Sequence, residues 1–379
     1  MKKCIVVSDS FKGTLSSVEI CGIARRVIPT FFPEAELVTI PMADGGEGTV
    51  DCIINALGAK SHKVTVAGPY TEDVEAEYAT YGDAAIIEMA SCAGLPLVGS
   101  RKNPALTTTY GVGEIMLDAL NQGVRHIFLG LGGSATNDGG CGCAAALGVD
   151  FYNANGEVFI PCGATLKDIV RIDVSKARKK LEGVGITAMC DVENPMFGPS
   201  GAAYVFGPQK GADREMIEML DRGLVNLNNV LKSSLGYDMA NVKGAGAAGA
   251  MAAGIIAMLG ATVCPGIEAI LALTRFEKEL DGADLVISGE GRLDDQSFSG
   301  KVISGISKRT GAREIPFYLI VGISAVEKAD PNLHGISAIF ETNREHLPFE
   351  EVAPRAAEDY AAALEDAMRY HRIQERKMN

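Results

Sequence analysis

No CxxC pair occurs in this 379-residue chain, and its nine cysteines, at positions 4, 21, 52, 92, 141, 143, 162, 190 and 264, are odd in number and scattered. Several fall in apolar runs, so reduced, buried thiols fit the pattern best. Basic residues are in deficit, with 35 Lys and Arg against 48 Asp and Glu and a net charge of −13. Such a charge repels nucleic acid and anionic membranes on average, so neither is expected as a partner. The apolar run Cys4-Ile5-Val6-Val7 gives way at once to Ser8-Asp9-Ser10 and is too short for a signal peptide, so a cytoplasmic protein is expected. From Gly244 to Ile267 charge itself is missing, which raises a membrane span. The Gly and Ala content, Pro265 and the want of flanking basic and aromatic anchors favour a buried helix instead.

What the chain does have is length and apolar residues, which make up 47% of it and suffice for two cores. Residues 4–8 read as a buried strand leading through a polar loop into a helix, with Ser16 and Glu19 at capping-box spacing and Ile20, Ile23, Ala24 and Val27 forming its apolar stripe. Leu37 to Ile40 repeats the strand, and Val50, Ile53, Ile54 and Leu57 the helix. The same alternation returns with strands at Leu285 to Ser288, Phe317 to Val321 and Ile336 to Phe340. A terminal helix follows, carrying Tyr360, Leu364 and Met368. Two early and three late strands predict a five-stranded, doubly wound parallel sheet. Between them, Lys63 to Ala67 and Val74 to Met89 suggest antiparallel strands, followed by a helix from about Gly111 and a strand at His126 to Gly130. The expected organisation is α/β, with residues 1–63 and 265–379 forming one discontinuous domain and residues 64–264 a second α/β domain inserted into it. The site is expected in the cleft between them.

Six segments carry candidate chemistry. Ser8 to Gly13, after the first strand, offers Lys12 as a point charge for phosphate, or else a solvated loop. Pro41 to Thr49 sets three glycines beside Asp44 and Glu47, a mixture that suits Mg²⁺ or substrate hydroxyls better than a bare anion; a capping box is the competing reading. Gly130 to Gly140 packs Ser134, Thr136, Asn137 and Asp138 into a glycine-rich loop at a helix entrance, where amides and hydroxyls can meet a carboxylate or phosphate. Asp191 stands at a strand end, placed to accept a hydroxyl proton or hold Mg²⁺, or merely to cap a turn; Phe206 to Gly211 adds a cation and an amide nearby. Gly244 to Gly249 matches the dinucleotide fingerprint literally but lacks the preceding buried strand, so close helix packing is its expected purpose. Ser288 to Lys301 resembles a P-loop superficially and leaves another kind of nucleotide loop open.

Together these blocks resemble the type I glycerate kinases, the bacterial glycerate 2-kinase family, over essentially the whole chain. The marks are Asp9 to Gly13, Pro41 to Thr49, Gly132 to Gly140, Cys190-Asp191 with Asn194-Pro195, Phe206 to Gly211, Gly244 to Gly249, and Gly289-Glu290-Gly291 with Asp294, Gln296 and Lys301. The resemblance implies a flavodoxin-like domain with a second α/β domain inserted, and ATP-dependent phosphorylation of D-glycerate, mostly to 2-phosphoglycerate.

Chemistry then assigns the roles. Asp191 is expected as base or metal carboxylate, and Asp44 as its partner in binding Mg²⁺ or a hydroxyl. Lys12 and Lys301 are expected on phosphate, and Ser134, Thr136, Asn137 and Asp138 on glycerate. Asp9, Ser10, Gly289, Glu290, Gly291, Asp294 and Gln296 complete the expected nucleotide contacts. The rival readings are an NAD-dependent hydroxy-acid oxidoreductase, suggested only by residues 244–249, and a non-catalytic metabolite-binding protein.

Overall fold

The structure is a computed structural model that describes residues 1–42, 49–294, 297, 302–326 and 335–378. By its packing the chain falls into two compact units: Met1–Ala43, Asn55–Gly58 and Ile270–Asn379 form the first, and Asp44–Ile54 with Ala59–Ala269 the second. The sequence expectation put the crossings near residues 63 and 265. The strand Lys60–Ala67 pairs along its whole length with Asp73–Tyr81 and belongs to the second unit.

The first unit is a flavodoxin-like, doubly wound sheet. Its five parallel strands run in the order Ala338–Glu341, Phe317–Ser324, Leu285–Leu293, Lys3–Ser8, Glu36–Pro41. Counted along the chain this is the order 2-1-3-4-5, whose direction reverses between the first and third strands. The helix Ser17–Phe31 starts at the capping box foreseen, with Ser16 Oγ accepting from the Glu19 amide at 3.2 Å and the Glu19 carboxylate from the Ser16 amide at 2.8 Å. These hydrogen bonds hold the Glu19 carboxyl below the usual range. Its buried Ile20, Ile23, Ala24 and Ile28 meet Tyr360, Ala363, Leu364, Ala367 and Met368 of the terminal helix Ala356–Met378 over one face of the sheet. Each large apolar side chain so buried stabilises the unit by roughly 1.5–3 kcal/mol.

The second unit holds a six-stranded sheet in the order Thr262–Cys264, Gly185–Met189, His126–Gly130, Ala84–Glu88, Asp73–Tyr81, Lys60–Ala67. The first four strands are parallel and the last two antiparallel. The helix Tyr110–Asn121 and the strand His126–Gly130 lie where the sequence put them. A small antiparallel sheet of Val158–Phe159, Asp150–Tyr152 and Arg171–Asp173 and the 22-residue helix Arg214–Leu235 complete the unit. The charge-free segment forms the buried helix Ala247–Leu259, ended by left-handed Gly260. Among the described residues no helix is long and apolar enough to cross a membrane.

Candidate functional site

In the second unit the candidate residues gather at the carboxyl ends of neighbouring parallel strands, the ligand-binding edge of α/β sheets. Met189 and Gly130 end the adjacent strands Gly185–Met189 and His126–Gly130 in register. Beyond Gly130 the loop to Gly140 folds inward, leaving Ser134, Thr136, Asn137 and Asp138 all buried. Into this loop reaches Lys210, only 2% exposed. Its Nζ donates to Ser134 Oγ and to the Thr136 carbonyl oxygen, both at 2.7 Å. Burial pushes the Lys210 ammonium down to about 7 against the opposing pull of the Asp138 carboxylate.

Asp138 is fully buried, and its oxygens are occupied by the loop's own architecture. Oδ2 accepts from the Thr109 amide and hydroxyl, both at 2.8 Å, and from the Gly142 amide at 3.2 Å. Oδ1 accepts from the Gly140 amide at 3.1 Å. Burial raises its carboxyl above the ordinary range, with these hydrogen bonds opposing the rise. The geometry therefore gives Asp138 the task of fixing the entrance to the helix Cys141–Leu147. Its neighbours differ. Among the described residues Thr136 Oγ1 and Asn137 Nδ2 are buried with no hydrogen-bond partner. A buried polar group left so costs about 1–3 kcal/mol, which marks this part of the loop as prepared for an added partner.

Asp191 follows the strand Gly185–Met189 and is exposed, with Oδ1 accepting from the Gly266 amide at 3.1 Å. Close by, Asn194 fixes the chain: its Nδ2 donates to the Ser200 carbonyl at 2.8 Å and its own carbonyl accepts from the Gly246 amide at 2.9 Å. The glycines of residues 244–249 are filled by protein. A Cβ on Gly246 would stand 2.2 Å from the Pro195 carbonyl oxygen, and one on Gly249 2.1 Å from that of Thr136. No strand precedes them, and Ala248, Gly249 and Ala250 are all left-handed. These glycines therefore serve close packing against residues 136–139 and 195, and the dinucleotide alternative loses its motif.

In the first unit Asp9, Ser10 and Lys12 lie beyond the strand Lys3–Ser8 and meet the segment Gly289 to Asp294, at the point where strand order reverses. The Asp9 amide donates to the Gly289 carbonyl at 3.0 Å, and Ser8 Oγ to the same oxygen at 3.1 Å. Asp9 Oδ1 accepts from the Ser10 amide at 2.7 Å, and Lys12 is exposed. A Cβ on Gly289 would meet the Ile320 carbonyl oxygen at 1.8 Å, so this glycine is demanded by strand pairing. Gly291 faces the loop, a Cβ there lying 3.5 Å from Phe11 Cα and 3.7 Å from the Lys12 amide nitrogen. Glu290 continues the same strand, and the Asp294 amide donates to Ser297 Oγ at 3.0 Å. Asp44, Gln296 and Lys301 lie outside the described residues.

Sequence reasoning missed two side chains. Lys210 sat in a block singled out for its cation, but nothing local shows that this cation is buried against Ser134. Glu88, ending the strand Ala84–Glu88 beside Gly130, accepts from the Val50 amide at 2.6 Å and so holds the start of the helix Thr49–Leu57. Its signal was a carboxylate at the end of an apolar run.

Residues 4–372 match the family model described as the glycerate kinase family. The chain is 44% identical over 360 residues to the glycerate kinase of Bacillus cereus (strain ATCC 10987 / NRS 248), covering 94% of each chain. It is 40% identical over 341 residues to the glycerate 2-kinase of Escherichia coli (strain K12), covering 89% of this chain and 90% of that one. A solved structure of a glycerate kinase 2 from Salmonella typhimurium LT2 superimposes with a TM-score of 0.85 at 36% identity, covering 99% of both chains.

Proposed function

The chain belongs to the glycerate kinase family and is a kinase, and from that premise we propose that it transfers the γ-phosphoryl group of ATP to D-glycerate in the cytoplasm, at the 2-hydroxyl in preference to the 3-hydroxyl. The observation that carries the reading is the Gly130 to Gly140 loop. It sets two unpartnered polar groups, Thr136 Oγ1 and Asn137 Nδ2, beside a buried ammonium, on the sheet edge that also bears Asp191. A small hydroxy acid supplies a carboxylate and hydroxyls in the spacing such a loop can satisfy. The preference for the 2-hydroxyl is supported by the similarity to the Escherichia coli glycerate 2-kinase.

Phosphoryl transfer asks the protein mainly for positioning and charge stabilisation. Ser134, Thr136 and Asn137 orient the acid, with Asp138 holding their loop. Asp191 is an exposed carboxylate directly after the strand Gly185–Met189, and its role is to accept the proton of the attacking hydroxyl. In the first unit, Lys12 with Asp9, Ser10 and the segment Gly289, Glu290, Gly291 and Asp294 takes the nucleotide at the switch point, joined by Gln296 and Lys301.

Among the described residues no group of three or more His, Cys, Asp or Glu side chains forms a self-sufficient metal cage. An exposed carboxylate such as Asp191 fits a hydrated Mg²⁺ brought by the nucleotide, so Asp191, with Asp44, would hold it. Bound there, such an ion would supply charge neutralisation on the transferred phosphoryl group. The deciding experiment incubates purified protein with Mg-ATP and D-glycerate and identifies the product by phosphorus and proton NMR. Appearance of 2-phosphoglycerate is expected. Failure to phosphorylate glycerate overturns the reading, and 3-phosphoglycerate corrects the hydroxyl.

A further inference from the structure

We infer that Lys210 is a positioning residue that makes the Gly130 to Gly140 loop selective for an ionised carboxylate, acting through Ser134 and Thr136 without touching the substrate itself. The inference rests on the reading that this loop takes the hydroxy acid, and it deepens that reading by naming what sets its preference for an acid.

An ammonium has only donors. Because Nζ donates to Ser134 Oγ at 2.7 Å, the hydroxyl proton of Ser134 must point away from Lys210 and is left to donate outward. The second bond, to the Thr136 carbonyl at 2.7 Å, polarises the peptide group whose amide belongs to Asn137 and strengthens that N–H as a donor. Asn137 Nδ2, a further donor, is buried without a partner, as is Thr136 Oγ1. One cation thus biases the polar groups of this loop toward donating, in surroundings where Ser134 is only 7% exposed and little water competes.

The countercharge completes the case. The charged group acting on Lys210 is Asp138, but Asp138 is already taken by Thr109, Gly140 and Gly142 and makes no hydrogen bond to Nζ. The positive charge is therefore incompletely balanced within the loop, and a substrate carboxylate completes it. Burial depresses the ammonium pKa to about 7, and the Asp138 carboxylate opposes that fall only in part. The hydroxyls of a neutral polyol accept from such donors but bring no negative charge to the buried cation.

The test replaces Lys210 by methionine, which matches its length without charge or donors. Wild-type and Lys210→Met enzymes are compared in KM for D-glycerate, KM for ATP and kcat, with a melting curve for each and with glycerol as neutral acceptor. The expected result is a rise in glycerate KM of roughly tenfold or more, as for a lost charge-assisted hydrogen bond. The ATP KM should hold and the preference for glycerate over glycerol should shrink. A merely structural lysine would lower the melting temperature and the active fraction while leaving both KM values in place, and that outcome overturns the inference. If wild type turns over glycerate but the variant shows an altered ATP KM alone, the inference falls and the proposed function stands; if wild type does not phosphorylate glycerate, both fall. Should Lys210→Met fail to fold, wild type decides. Its glycerate KM should rise as pH climbs above about 7 without a parallel change for ATP, and a flat glycerate KM across that range sinks the idea.

Discussion

Gly249 lies against the backbone of Thr136 so closely that a Cβ on it would stand 2.1 Å from the Thr136 carbonyl oxygen. The same oxygen accepts a hydrogen bond from Lys210, and the Gly249 carbonyl in turn accepts from the Gly139 amide at 3.1 Å. The substrate loop proposed here is thus packed from behind by the turn that opens the helix Ala247–Leu259.

Gly249→Ala should therefore be severe. The added methyl meets backbone, which cannot swing aside, and the residue is left-handed at φ 65°. Overpacking of this kind costs about 1–3 kcal/mol, and an alanine in the left-handed region roughly 1–2 more. Denaturant unfolding should show a loss of that combined order, with glycerate turnover falling more than the folded fraction because residues 136 and 137 are displaced. Unchanged stability would mean that the turn relaxes freely.

The left-handed positions also offer a gain. Glu314 is exposed at φ 55° just beyond the helix Val302–Gly311. Glu314→Gly should stabilise the protein by about 0.5–1 kcal/mol by removing the clash between Cβ and its own backbone, net of glycine's extra freedom when unfolded. An upward shift in the denaturant midpoint for Glu314→Gly but not for Glu314→Ala checks it.

Much of this was legible in advance, and the reasons are local. The strands Lys3–Ser8, His126–Gly130 and Gly185–Met189 are apolar runs that central parallel strands require. The Ser16 and Glu19 pair and the stripe Tyr360, Leu364, Met368 obey helix geometry, which sequence spacing displays directly. The helix Arg214–Leu235 was overlooked although Asp213 caps it and Leu220, Leu224, Leu227 and Leu231 line its buried face. The small sheet was hidden for a better reason, since strands of two or three residues have no period to read. At the site, residue types were visible but their division of labour was not. Asp138 binds its own loop and Lys210 lies 76 residues from the serine it contacts. Partners so distant in sequence leave no spacing signal.

Lys210 also governs a pH dependence of stability. Its pKa falls from 10.5 to about 7 on burial. For a base depressed in the folded state, stability is present above the unfolded value and is lost as pH falls through the folded one. Relative to Lys210→Met, wild type should therefore lose stability as pH is lowered from about 10.5 toward 7 and level off below. Chemical denaturation of the two proteins across that range measures the difference, and parallel curves would show that burial does not depress this ammonium.

Asp191→Asn separates chemistry from structure most sharply. Oδ1 of the exposed side chain accepts from the Gly266 amide at 3.1 Å, and asparagine retains an oxygen for that bond. Melting temperature should stay near wild type. What is lost is charge and the capacity to take a proton, so turnover of glycerate should fall roughly 10²-fold or more, the low end of what positioned acid–base groups contribute. If the carboxylate acts as base, the glycerate KM changes little and added Mg²⁺ does not help; if it acts by holding Mg²⁺, activity recovers in part as the ion is raised. Were Asp191 only a cap for the chain at Gly266, turnover per folded molecule would match wild type, and the catalytic role would pass to Asp44. Steady-state kinetics over a range of Mg²⁺, read beside the melting curve, distinguishes the three.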